Sequence, residues 1–256
     1  DLLSIASLRA GLASQLVLYF IVAGTFFVIP LYLQTVLELN ALESGIRMLP
    51  MSVCLFLVAL IGSRLASRRS PRQLIRSGLL IACGGLVLMI SSIRPQADSA
   101  LFTLAMALIG IGIGLAISQI GNVNLSAADQ SRSTEIGGLQ GTAQNLGASL
   151  GVAIAGTALF IALGNQLTTT VNSNPLITPA LKAAAEAAQQ RGVQVVTPEL
   201  LASQLQKAGV SNDQIELLTA DYTTSKLQAL RLGLGHVLVV ALLGLPLTRG
   251  LPRRPL

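Results

Sequence analysis

Residues 100–121 read ALFTLAMALIGIGIGLAISQIG, a stretch without a single charged side chain. A helix needs about 20 apolar residues to cross the hydrocarbon core of a bilayer, so this stretch reads as a span. Five further apolar runs accompany it, at about 10–37, 45–63, 73–93, 135–163 and 228–248. They are Leu/Ile/Val/Ala runs without strict alternation. Only helices and closed barrels satisfy their backbone groups in lipid, and the lack of alternation favours helices. The composition agrees, with 52% hydrophobic and 11% charged residues, against roughly 25% charged in soluble domains. The sequence therefore predicts an all-α polytopic membrane protein with six transmembrane helices.

The connections are short except for 164–227, a polar stretch with nearly balanced charge. The predicted division is 1–163 for the first five spans, 164–227 for a partly helical segment outside the membrane, and 228–256 for the last span with a basic tail. Within the polar stretch, Thr178-Pro179 opens an Ala-rich run and Thr197-Pro198-Glu199 opens LLASQLQKA. Ser211 with Gln214 resembles a capping box. These are helix-start signals, and the last predicted helix is expected to run directly into span six. Pro30 is an expected kink in span one, because proline removes a backbone donor. Pro50 falls near the expected start of span two, where proline is tolerated.

Residues 62–75, GSRLASRRSPRQLI, gather Arg64, Arg68, Arg69 and Arg72, and Arg76 follows. Basic residues collect in the cytoplasmic connections of membrane proteins. If the chain begins inside and alternates, Arg9, this cluster, Arg132, Arg249, Arg253 and Arg254 all lie inside, and the short outer turns hold only Arg47 and Arg94. Both ends are then cytoplasmic and 164–227 is extracytoplasmic. The net charge of +6 is thus a topology signal, and a nucleic-acid partner is not expected: the arginines sit between apolar runs and aromatics do not interleave with them. Cys54 and Cys83 lie in apolar runs and read as small hydrophobes. His236 has no ligand-spaced partner, so no metal site is expected. No nucleophile elbow, His-Glu metal helix or CxxC occurs, so an enzyme is not expected. The chain starts at Asp1, without methionine or a signal-peptide pattern, which reads as a cut.

No Asp or Glu lies at the centre of any span. Intramembrane acids are the usual proton relays, so no proton pathway is expected within these residues. Amides do occur: Gln34 near the end of span one, Gln119, Asn122 and Asn124 closing span four, and several in GGLQGTAQNLGASLGVAIAGTALF (137–160). At about 100° per residue, Gln140, Gln144, Gly147 and Gly151 share one stripe of span five. Thr142, Asn145, Ser149 and Gly156 share a nearly opposite one, and Leu139, Leu146 and Leu150 lie between them and suit lipid. Small residues and amides of this kind either pack helices together or line a substrate cavity, and periodicity leaves both readings open. Gly110, Gly112 and Gly114 read as tight helix packing, not as a phosphate loop, because no Lys-Ser/Thr follows.

The stretch FFVIPLYLQTVLELNALESGIRMLP (26–50) resembles the ninth and tenth helices of the fourteen-helix drug:proton antiporters of the major facilitator superfamily. The matching positions are Gln34, Ala41, Gly45, Leu49 and Pro50. GIGIGLAISQIGN (110–122) resembles the twelfth helix and GLQGTAQNLGASLGVAIAGT (138–157) the thirteenth. The long segment before the last span and the tail LPRRPL (251–256) fit the same pattern. GSRLASRRSPRQ is similar to the second-half copy of the superfamily's cytoplasmic Gly-x-Leu-Ala-Asp-Arg-x-Gly-Arg-Arg loop. Leu65, Ala66, Arg68 and Arg72 match, while Ser67, Ser70 and Ser63 replace its Asp and glycines.

The resemblance implies the C-terminal six-helix bundle of such a transporter, with the N-terminal half preceding Asp1 and carrying the proton-coupling residues. It implies proton-coupled multidrug efflux by alternating access in a bacterial inner membrane, driven by the proton gradient and needing no cofactor. The implied partners are the bilayer, the N-terminal half and a small-molecule substrate. The expected cavity wall is Gln34, Gln119, Asn122, Gln140, Gln144 and Asn145, with Phe27 and Tyr32 as aromatic contacts for flat apolar drugs. An exporter of another substrate (siderophore, peptide, sugar or lipid) and a non-transporting six-helix scaffold are the alternative readings.

Overall fold

The computed structural model describes residues 2–66, 68–96, 99–173, 198–207 and 212–253. Its long helices are α1 (Ala6–Thr35), α2 (Ala41–Leu65), α3 (Pro71–Ser92), α4 (Ser99–Leu125), α5 (Ser133–Ser173), α6 (Pro198–Lys207) and α7 (Asn212–Gly244). Short 3₁₀ turns occupy Leu2–Ser4, Gln130–Arg132 and Leu245–Gly250, and no strand occurs among the described residues. Six helical stretches are long and apolar enough to cross a membrane.

The helix starts follow from local chemistry. α2 begins at Ala41, four residues before the expected Gly45. Asn40 accepts from the Glu43 N–H and the Glu43 carboxylate accepts from the Asn40 N–H, each at 2.9 Å. That reciprocal cap satisfies two orphan donors and draws the polar ALES segment into the helix. Pro50 is consequently well inside α2 rather than near its start. α3 opens on the same device, Ser70 with Gln73 at 3.3 Å, with Pro71 as its first residue. α7 runs unbroken from Asn212 to Gly244, so the helix expected before span six and the span itself are one element. α6 starts at Pro198, where the Thr-Pro-Glu signal falls. The Ala-rich run after Pro179 and the Ser211 cap lie outside the described residues.

α4 packs against both α2 and α3, while α1 packs against α5 and α7; contacts between α1 and α4 and between α3 and α7 join the two groups. Glycines set the closest approaches. A Cβ at Gly110 or Gly114 of α4 would collide with the Met51 or Leu55 carbonyl oxygen of α2. At Gly112, on the other side of α4, it would collide with Ala82 and Gly78 of α3. The three glycines of residues 110–114 therefore let one helix touch two neighbours through backbone. α5 meets α1 in the same way, Gly147 against the Leu16 carbonyl and Gly151 against the Phe20 carbonyl. Without a hydrophobic drive between helices in lipid, such close backbone packing supplies the attraction.

Burial is uneven. Half or slightly more of the apolar windows of α1, α3 and α4 is buried, against 33% for α5 and for the span in α7, and 11% for α2. Three helices thus keep much of their surface open. Both chain ends lie at the arginine-rich end of the bundle: Gly250 packs on Ala10, and the Arg72 N–H donates to the Pro252 carbonyl at 3.4 Å.

Candidate functional site

The two polar stripes of α5 have different surroundings. Gly147 and Gly151 are buried, and Gln140 and Gln144 are half-buried beside them, on the face that meets α1. Thr142, Asn145 and Ser149 are exposed. Thr142 Oγ1 donates to the Gly138 carbonyl of its own helix at 2.9 Å. These three fall within about 60° on the helical wheel, and Leu146, Leu150, Ile154 and Ile161 form the exposed apolar side. Gly156 continues the polar stripe towards the far end, where the Phe27 ring of α1 would sit 3.4 Å from a Cβ at that position and Phe160 3.9 Å.

α1 contributes an open strip beside this face. Phe26 and Gln34 are exposed, and Tyr19 and Phe27 are half-buried, whereas Phe20, Val28, Tyr32 and Leu33 on the other side are in the core. The combined surface is aromatic at one level and carries amide and hydroxyl groups at another. Such a surface suits amphipathic ligands, since apolar walls with a few placed polar groups are the usual make-up of small-molecule sites.

A buried amide knot ties α1, α4 and α5 below that surface. Asn124 Nδ2 donates to Gln15 Oε1 at 2.7 Å, Gln15 Nε2 to the Gln140 carbonyl at 3.2 Å, and Gln140 Nε2 to the Gly121 carbonyl at 3.4 Å. Asn124 is fully buried and Gln15 nearly so. Gln15 was invisible in the sequence, and Asn124 looked no different from Asn122. The only available signal was a glutamine one residue after Ser14 within an apolar run.

Of the residues expected to wall a cavity, Gln140 enters this knot. Gln119 is buried and donates from Nε2 to the Gly62 carbonyl of α2 at 3.0 Å and to Ser118 Oγ at 3.1 Å. Tyr32 is buried against Phe102, with ring centroids 6.3 Å apart. Its hydroxyl donates to the Arg94 carbonyl at 2.8 Å and accepts from the Arg94 N–H at 3.3 Å. Phe27 and Gln144 lie along the α1–α5 seam, whereas Asn145 is exposed on the other stripe of α5. Gln34 and Asn122 are exposed at opposite ends of the bundle, and the structure does not bring them together. Among the basic-loop residues, Arg64, Arg68, Arg69 and Arg76 are exposed and Arg72 is half-buried.

Two cations of α7 have roles the sequence does not show: Lys226 reads there as one of the balanced charges of the 164–227 stretch, and Arg231 has no assigned place. Lys226 is buried, lies 5.0 Å over the Tyr222 ring, and donates to the Thr35 carbonyl at 2.5 Å. Arg231, inside the sixth apolar run, donates from Nε and Nη2 to the Ile93 carbonyl at 3.2 and 2.6 Å. Thr35 is the last residue of α1 and Ile93 the C-cap of α3. Helix C-termini carry partial negative charge and unpaired carbonyls, so these cations fasten three helices at the end opposite the arginine cluster. Among the described residues no group of three or more His, Cys, Asp and Glu is placed to hold a metal ion.

Six membrane-length helices, seamed by glycines and bearing one open polar face, make this a multi-pass α-helical membrane protein. The chain belongs to the Major Facilitator Superfamily, a family of transporters, which it matches over residues 2–152. It is similar to the probable actinorhodin transporter of Streptomyces coelicolor, 29% identical over 166 residues, covering 64% of this chain and 29% of that protein. It is also similar to the multidrug transporter protein MdtP of Bacillus subtilis, 25% identical over 204 residues, covering 78% of this chain and 36% of that protein. A third relative is the tetracenomycin C resistance and export protein of Streptomyces glaucescens, 29% identical over 160 residues, with 62% and 29% covered. The chain thus spans about a third of the length of these relatives.

Proposed function

We propose that this chain is the C-terminal bundle of a proton-coupled exporter of hydrophobic or cationic drugs in a bacterial inner membrane, working by alternating access against an N-terminal bundle. The observation that carries the reading is the open polar face of α5. Asn145 and Ser149 are exposed on a helix that must lie in the membrane, and neither has a hydrogen-bond partner among the described residues. Polar groups facing lipid at that depth are costly. A second bundle with a water-filled path between would remove that cost and create the site. The similarity to an actinorhodin transporter, a multidrug transporter and a tetracenomycin C export protein supports the substrate class.

In this reading Phe27, Gln34, Asn122, Gln144 and Asn145 contact substrate at successive levels, joined by Thr142, Ser149 and Phe26. Gln119, Gln140 and Tyr32 act inside the bundle and hold its shape. The arginine-rich end is cytoplasmic, which follows the bias of basic residues to that side, and residues 164–227 are extracytoplasmic. The proton carrier belongs to the N-terminal half.

The test is reconstitution of the native protein in liposomes. Drug accumulation on the acidic side of an imposed pH gradient is expected, and a protonophore is expected to collapse it. Accumulation unaffected by the protonophore would overturn proton coupling, and no transport of any drug tested would overturn the substrate class.

A further inference from the structure

α2 and α3 both lean on α4 yet hardly touch each other, which leaves a wedge between them at the arginine-rich end. There the structure has a cleft of about 330 Å³ lined by Leu65, Arg69, Gln73, Leu74, Ser77 and Leu115. Leu65 comes from the end of α2, Arg69 from the turn, Gln73 to Ser77 from the first two turns of α3, and Leu115 from α4 behind them. Apolar walls with one guanidinium at the side are an unusual lining for a water-facing surface.

The charge around the cleft is one-sided. Arg68, Arg72 and Arg76 stand near Arg69 in the chain, and no Asp or Glu occurs between Ser44 and Ala97. Arg132 pairs with Glu135, remote from the cleft in sequence. Gln73 spends its Oε1 on the Ser70 N–H, and its Nε2 has no partner among the described residues. A topology signal needs only the charge; it does not need an apolar cleft beneath it.

The apolar surface also continues past the cleft. Leu57, Ile61 and Leu65 succeed one another at four-residue spacing on α2 and are 50%, 51% and 36% exposed. They form a ridge about 12 Å long at 1.5 Å per residue, running from the cleft towards the middle of the span. A soluble phosphate would engage the arginines and leave this ridge and the leucine walls unused.

We infer that the wedge between α2 and α3 binds one anionic phospholipid, its phosphate on Arg69 with the Gln73 amide and its acyl chain along Leu65, Ile61 and Leu57. Basic pockets between membrane helices are suited to such headgroups, and each basic residue near the surface contributes about 1 kcal/mol to anionic-lipid attraction.

The test is native mass spectrometry of the native protein in detergent, titrated with phosphatidylglycerol and with phosphatidylcholine of the same acyl chains. Preferential retention of phosphatidylglycerol is expected. Arg69→Gln, at an exposed position, should lower it about fivefold without affecting phosphatidylcholine. Ser77→Phe, which fills the cleft and keeps every arginine, should lower it as well. Should that variant fail to fold, Arg69→Gln decides alone. Millimolar glycerol 3-phosphate should not compete. Equal retention of the two lipids, unchanged retention in Arg69→Gln or in folded Ser77→Phe, or displacement by glycerol 3-phosphate would each overturn the proposal, the last in favour of a soluble phosphate ligand.

Discussion

Gly147→Leu is expected to melt roughly 2–12 °C below the unaltered protein, whereas Gly141→Leu, six residues nearer the start of the same helix, melts at or above it. The two glycines share a helix but not an environment. A Cβ at Gly147 collides with the Leu16 carbonyl of α1, and one turn on, Gly151 faces the Phe20 carbonyl in the same way. The obstacle is backbone, which cannot swing aside as a side chain can. α1 and α5 must therefore separate along their seam, and overpacking of this kind costs about 1–3 kcal/mol. Nothing lies within 4 Å of a Cβ at Gly141, and removing a glycine from a helix interior gains up to about 1 kcal/mol. The check is loss of the monodisperse detergent-solubilised protein on heating. Equal melting of the two variants would mean that the α1–α5 seam is not close-packed.

The second large effect is on transport. Asn145→Leu combined with Ser149→Leu should lower drug export roughly tenfold and leave melting unchanged. Both positions are exposed in the bundle, so no packing is lost. Two hydrogen bonds to substrate or to cavity water would be lost, each contributing about 0.5–1.5 kcal/mol, and about 1.4 kcal/mol is a factor of ten. Gln140→Leu should do the reverse. It removes the donor to the Gly121 carbonyl, lowers stability by about 1 kcal/mol, and leaves drug selectivity intact. The check is export by the reconstituted protein together with thermal stability, measured on the same preparations. If Gln140→Leu changes selectivity and the double variant does not, the two stripes have exchanged roles.

Much of the fold was legible because lipid imposes length and apolarity on each span. Residues 100–121 needed no context, and the glycines at 110, 112 and 114 announced close packing before their neighbours were known. Boundaries were less legible. The Asn40–Glu43 cap moved the start of α2 into a segment whose polarity suggested a turn. The site was legible as two non-lipid faces of α5, but periodicity places residues on faces and does not name what each face meets. Gly147 and Gly156 looked alike; the Leu16 carbonyl stands against one and the Phe27 ring beside the other. Lys226 and Arg231 were missed for a related reason. Both donate to main-chain carbonyls at the ends of α1 and α3, and those acceptors leave no mark in side-chain pattern.

In the proposed transporter the Asn145–Ser149 face of α5 lines a substrate path shared with a second bundle. This role is tested most directly by single cysteines at Asn145, Ser149, Leu150 and Ile161, introduced with Cys54 and Cys83 replaced by alanine. Reaction with a water-soluble maleimide is then followed in membranes, with and without transported drug. Labelling at 145 and 149 that the drug suppresses, and silence at 150 and 161, are expected. Labelling at 150 and 161 to the same extent as at 149, or labelling at 145 and 149 that no drug affects, would contradict that role.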